Sequence, residues 1–199
     1  MVRPREFDEA AALEAAMQCF WSHGYKATSI RHLAKVMGIT SASLYNAFGD
    51  KRSLYRRALE HYVERSFGDR VSRFEGRLPP RDAVTSFFKE IVERSLSDSE
   101  RKGCMLVNSA VEVDLHDAES RHAIAEVTRQ VEAFFQRCVA AGQRDETIAC
   151  VHPPEDIARL LLGILLGIRV LARSRPERDL LEGLVRPVFD LLGGIRIDL

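Results

Sequence analysis

Neither sign of charge is in excess: 29 Lys and Arg stand against 29 Asp and Glu, for a formal net charge of zero. A uniformly basic nucleic-acid coat and a strongly acidic surface are both excluded, and any electrostatic function has to be local. Long apolar runs are also missing. The longest uncharged one, Leu160 to Ile168, has nine residues between Arg159 and Arg169, far below the roughly 20 that cross a bilayer. The opening stretch MVRPREFDEAAALEAAMQCF holds no apolar signal-peptide core, so a cytoplasmic protein without a membrane partner is expected. Cysteine is sparse. Cys19, Cys104, Cys138 and Cys150 are scattered and make no C-x-x-C and no paired Cys/His set of zinc-site spacing, which argues against a disulfide scaffold and against structural zinc.

Catalytic signatures are absent as well. No G-x-G-x-x-G, G-x-x-x-x-G-K-[ST], H-E-x-x-H or G-x-S-x-G occurs. S-x-x-K appears at Ser86 to Lys89 and at Ser99 to Lys102, without the S-D-N and K-T-G companions that would give it meaning. His116 and His122, with Glu112, Asp114, Asp117 and Glu119, are the nearest approach to a metal set, but their spacing puts them on different helix faces. The chain reads as a non-enzyme with no metal and no other cofactor.

What the sequence does have is apolar residues at helical spacing almost throughout, with no strand-like alternation between turn residues. It predicts an all-α protein of about nine helices. Phe7, Ala10, Leu13, Met17, Phe20 and Trp21 form the stripe of a first helix ending at Gly24. A second starts at Thr28 as cap, a third runs from Ser41 to Phe48, and a fourth from Lys51 to Phe74, before Gly76 and Pro79-Pro80. Further helices are read over Arg81 to Ser97, Cys104 to Val113, Asp117 to Ala141, Pro153 to Ser174 and Pro176 to Leu192, with Pro187 kinking the last near Gly183. The division expected is residues 1–50 as a first domain, 51–80 as connecting helix and linker, and 81–199 as a second helical domain.

Charge is uneven within this frame. Residues 1–60 hold nine Lys and Arg against six Asp and Glu, and Lys26 to Arg57 holds seven bases against Asp50 alone. Residues 28–48 have the layout of two short helices joined by a glycine-containing turn, the second rich in small polar residues, as in a helix-turn-helix. Leu44 and Phe48 face the core, leaving Ser41, Ser43, Tyr45 and Asn46 for base edges and phosphates. Lys51 and Arg52 stand in the first turn of the fourth helix, where the macrodipole disfavours cations. A phosphate at that N-terminus would account for Lys51; Arg52 can equally face water.

The stretch from Thr28 to Tyr55, TSIRHLAKVMGITSASLYNAFGDKRSLY, resembles the N-terminal DNA-binding domain of the tetracycline-repressor (TetR) family of bacterial transcriptional regulators. The resemblance covers about residues 6–62, with Phe7, Ala11, Ala12, Phe20, Gly24, Tyr25, Thr28 and Ser29 in the family's order. It implies that Thr28, Ser41, Ser43, Tyr45, Asn46 and Lys51 contact DNA. One departure is Ala47, where the family often has His. Beyond residue 62 the resemblance is one of architecture, save that Gly103-Cys104, Asn108 and Glu112 match the G-C-x-x-x-N-x-x-x-E helix of one subgroup, some of whose members respond to electrophiles or oxidants while many others bind ordinary small molecules.

Three expectations concern the second half. Phe87, Phe88, Phe134 and Phe135, with Cys104, Asn108, Ser109 and Glu112, are read as lining one effector pocket; plain core packing is the alternative for each Phe. Leu162, Leu166 and Val170, on the second apolar face of the eighth helix, with Leu184 and Val188 of the ninth, are read as a homodimer interface, unless both faces are core of one subunit. Cys104, following Arg101-Lys102-Gly103 at a helix start, is read as the most reactive thiol. Together these describe a homodimeric repressor, released from a palindromic double-stranded operator by a small effector or by cysteine modification. A helical protein-interaction adaptor is the alternative.

Overall fold

The computed structural model describes residues 7–112, 118–150 and 152–193. Asp114, His116 and Asp117, named above as weak metal candidates, lie outside them. Every regular element described is helical: α1 Glu9–Ala27, α2 Ile30–Val36, α3 Ser41–Phe48, α4 Lys51–Val63, a π-helical segment Glu64–Gly68, α5 Asp69–Phe74, α6 Pro80–Ser97, α7 Met105–Val111, α8 Ala118–Arg144, α9 Pro154–Ser174 and α10 Arg178–Gly193.

Local chemistry explains most boundaries. Asp8, Ser29, Thr40 and Asp50 each accept a backbone N–H of the helix they open, satisfying a donor that has no partner within the helix. Three boundaries differ from expectation. The first helix does not stop at Gly24 but resumes to Ala27 across a break there, with φ 78° and ψ 172°, a conformation essentially reserved for glycine. Ser29, not Thr28, caps α2; Thr28 is 1% exposed and its Oγ1 donates to the Gly24 carbonyl at 2.7 Å. The predicted fourth helix is unbroken from Lys51 to Phe74 but contains the π-helical segment, where the hydrogen bonds span one residue more. Pro187 sits within α10 without dividing it.

Two hydrophobic clusters organise the chain. One draws on α6, α8, α9 and α10, with Phe87, Phe88, Phe134 and Phe135 at its centre. The other gathers α1 to α4 around Phe20, Leu33, Leu44, Leu54 and Tyr55. Met105 of α7 and Ile124 of α8 are buried in this second cluster, so α7 follows the first domain's core although it lies some fifty residues further along the chain.

Candidate functional site: a DNA-reading helix, a thiol cavity and the link between them

The α2–turn–α3 unit is held from beneath. Leu33, Ala34, Met37, Leu44 and Phe48 are buried, and burying these side chains fixes which face of α3 is left outside. That face carries Ser41, Tyr45 and Asn46, all exposed, with Tyr45 at 51%. Ser43 is half-buried, its Oγ 2.9 Å from Thr40 Oγ1 and its N–H on the same cap. Thr28, expected beside them, is turned into the protein. Lys51 lies at the start of α4 with its Nζ 4.3 Å from the centre of the Tyr25 ring, and burial lowers its pKa. The basic excess of the segment is partly consumed internally, since Arg57 pairs with Glu9 at 2.6 Å and Arg56 with Glu119. Lys26, Arg31 and Lys35 remain on the exposed surface.

The expected effector residues do not share one chamber. Phe88, Phe134 and Phe135 are fully buried and pack on one another, Phe88 stacking on Phe135 at 5.6 Å, so they are core. Phe87 and Cys104 line an apolar cavity of about 50 Å3 together with Tyr62, Val107, Leu162, Leu166 and Arg169. Asn108, Ser109 and Glu112 point elsewhere. The Asn108 side chain donates to the Lys102 carbonyl at 3.0 Å and accepts from Arg173 at 3.0 Å. Ser109 Oγ donates to the Met105 carbonyl at 2.7 Å and lies 2.5 Å from Tyr55 Oη. Glu112 accepts the Tyr25 N–H at 3.4 Å, directly beside Gly24. The polar face of α7 therefore fastens it to α1, α4 and α9.

Cys104 differs from the buried Cys19 and Cys138. Burial raises both of those thiols, Cys138 to about 12. At Cys104 burial acts in the same direction, but the Arg169 guanidinium, the Tyr62 hydroxyl and the N–H groups of Val107 and Leu106 outweigh it, and the thiol falls below its ordinary value. Tyr62 Oη stands 3.5 Å from the sulfur, and burial with the adjacent thiolate raises that phenol. The sequence placed the activating charge on Arg101 and Lys102. Instead Lys102 pairs with Glu100 at 2.8 Å and lies over the Trp21 ring, while the effective cation comes from α9. Arg169, Tyr62 and Trp21 were not legible as site residues; the one signal was an arginine directly after the apolar run Leu160 to Ile168.

Of the five residues expected at a dimer interface, only Val170 is exposed. Leu162 and Leu166 face the thiol cavity, Val188 is core, and Leu184 packs half-buried against the core. Residues spaced by four drift about 40° per step around a helix, so a row that begins inward at Leu162 emerges only at Val170. The outer row of α9 is Leu160, Gly163, Gly167 and Val170, with Leu160 and Val170 exposed at 47% and 51%.

An all-α protein with a capped helix-turn-helix presenting a polar recognition face is a helix-turn-helix DNA-binding protein. Residues 12–58 match the family model "Bacterial regulatory proteins, tetR family" and residues 80–186 match "Tetracyclin repressor-like, C-terminal domain". The chain belongs to the TetR family and is a DNA-binding transcriptional regulator. It is 32% identical to the HTH-type transcriptional regulator YezE of Bacillus subtilis over 92% of this chain and 94% of that one. It is 29% identical to the HTH-type transcriptional repressor ComR of Escherichia coli, over 86% and 82% respectively. Among solved structures, a cysteine mutant of the TetR family regulator CifR, complexed with 26 bp double-strand operator DNA, superposes with a TM-score of 0.81 at 32% identity, covering 94% of this chain and 97% of that one. Reduced NemR of E. coli shares the fold, with a TM-score of 0.82 at 20% identity, covering 90% and 93%.

Proposed function

We propose that the protein is a homodimeric cytoplasmic repressor that holds a palindromic operator through α3 and leaves it when an effector or a thiol reagent acts near Cys104. Residues 1–50 read DNA, 51–80 connect, and 81–199 sense and dimerise. The observation that carries this reading is α7 itself: Cys104 opens it, and its other end holds α1 through Glu112 and α4 through Ser109. A group added at the sulfur displaces Tyr62 on α4 and strains a helix whose polar face is already committed to the DNA-reading half. Ser41, Ser43, Tyr45 and Asn46 are assigned to the operator and Lys51 to a phosphate at the α4 N-terminus.

The dimer contact is assigned to the outer row of α9, Leu160, Gly163, Gly167 and Val170, continued by α10. The two glycines have nothing within 4 Å of a Cβ position, so a second copy of α9 can approach closely. Fluorescence anisotropy with the DNA upstream of the protein's own gene tests the whole scheme. Salt-sensitive binding, lost on alkylation of wild type and retained in Cys104→Ser, is the expected result. Absence of salt-sensitive binding to any duplex leaves the adaptor reading instead.

A further inference from the structure

A cleft of about 550 Å3 lies on the other side of Tyr62 and Arg169 from the thiol cavity, between α1, the end of α4, α6 and the turn at Asp98 to Gly103. It has the size of a small-molecule site, which the 50 Å3 cavity does not. Its lining is cationic: Arg65, Arg70, Arg94, Lys102 and Arg169 against the carboxylates of Glu14 and Asp98.

Among the described residues, most of these cations already have a carboxylate; Arg169 does not, and Lys102 holds only the exposed Glu100, at 2.8 Å. Glu14 is shared between Arg65 and His61, and Asp98 accepts the Gly103 N–H. Glu90, outside the cleft, is divided among Arg70, Arg73 and Arg94. Arg169 makes no ion pair with a carboxylate among the described residues; its side chain donates to Ser95 Oγ at 3.1 Å and is set against Cys104 and Tyr62. Burial, opposed by Glu90 and reinforced by Arg94 and Arg169, lowers the pKa of Arg70. A largely buried cation that no carboxylate pairs, as at Arg169, is costly unless an anion completes it. The guanidinium fork is shaped for a carboxylate or phosphate. Met17, Trp21 and Tyr62 supply an apolar wall, and the Trp21 Nε1–H is the one buried side-chain polar atom among the described residues without a partner.

We propose that this cleft binds a small organic oxyanion, a carboxylate or a phosphate ester, whose charged group pairs with Arg169 and takes the place of the exposed Glu100 on Lys102, while its body lies against Trp21 and Tyr62. Such a ligand touches α1 of the DNA-reading half and α6 and α9 of the other half at once. It also competes with the Cys104 thiolate for Arg169, which makes the thiol and the anion alternative signals to one residue. The binding step stands independently of the operator scheme; only its effect on DNA rests on that reading.

Trp21 is the sole tryptophan of the chain, so its emission reports on the cleft directly. The full chain, without DNA, is titrated to millimolar concentration with benzoate and with phenyl phosphate, at ionic strength fixed with KCl, and with neutral benzamide. A saturable change with either anion and none with benzamide is expected, the two arms showing whether a carboxylate or a phosphate ester is preferred. Lys102→Met weakens that binding roughly tenfold or more, as loss of one charge-assisted contact does. Arg94→Gln, at an exposed edge, weakens it less, and Lys89→Met, on another face, leaves it unchanged. No change with either anion beyond KCl, an equal change with benzamide, or unaltered affinity in both Lys102→Met and Arg94→Gln overturns the proposal. DNA release by the same anion is read separately, so failure of the operator scheme leaves the binding result standing.

Discussion

Replacing Gly163 and Gly167 together by Ala is expected to move the protomer and the dimer in opposite directions. Within one protomer a Cβ at either position meets nothing within 4 Å. Glycine inside a helix is about 0.5–1 kcal/mol less favourable than alanine, so the double variant gains about 1–2 kcal/mol of protomer stability. The dimer contact on this row is worth more. Leu160 and Val170 are 47% and 51% exposed, and full burial of such side chains contributes about 1.5–3 kcal/mol each. About half remains to be gained per side chain, and four side chains meet in a two-fold contact, giving about 3–6 kcal/mol, or roughly two to four decades in dissociation constant. That gain requires close approach of the two α9 backbones, because dispersion falls steeply with even a small gap. Four new methyl groups hold them apart. Sedimentation velocity over a concentration series should show dissociation at least tenfold easier, while the melting temperature of dilute protein rises or holds. An unchanged dissociation constant with a raised melting temperature would refute the assignment of this row to the interface.

Gly24→Ala should cost about 1–3 kcal/mol in chemical denaturation, since its φ of 78° is unfavourable for any L side chain and the new Cβ would sit 2.8 Å from Glu112 Oε1; a neutral result would mean that the junction of α1 and α7 relaxes freely. Lys51→Ala should weaken operator binding on all sequences alike and flatten its salt dependence, whereas Asn46→Ala should change base preference by about 1–3 kcal/mol where the contact is bidentate, both read by anisotropy. Cys104 should alkylate faster than Cys19 and Cys138 in mass-spectrometric time courses, and Arg169→Met should slow it; equal rates across the three would remove the sensor. Tyr55 is raised from 10.0 to about 12 and Cys138 from 9.0 to about 12, both mainly by burial. The unfolded chain therefore loses these protons first as pH rises, and stability present below pH 9 should be lost progressively towards pH 12, as thermal melts will show.

The helices of the first sixty residues are legible in the sequence because each is specified by neighbours in the chain: Thr40 caps α3 and Asp50 caps α4, Leu44 and Phe48 lie one turn apart, and glycines occupy the positive-φ positions. The outward face of α3 is set by that periodicity alone. Thr28 escaped because its hydroxyl had two possible roles, cap or tie to Gly24, and only the break in α1 decides between them. Further along, periodicity told which residues of α9 are apolar but not which of two apolar faces meets solvent, since both rows read alike until α6 and α8 cover one of them. The same limit hid the thiol's environment. Arg101 and Lys102 adjoin Cys104 in sequence, yet the cation that activates it arrives from Arg169, sixty-five positions away. Whether an arginine at the end of an apolar run faces water or a sulfur depends on how helices pack, and Coulomb energy depends on distance in space, so this part of the site was decided by the tertiary structure.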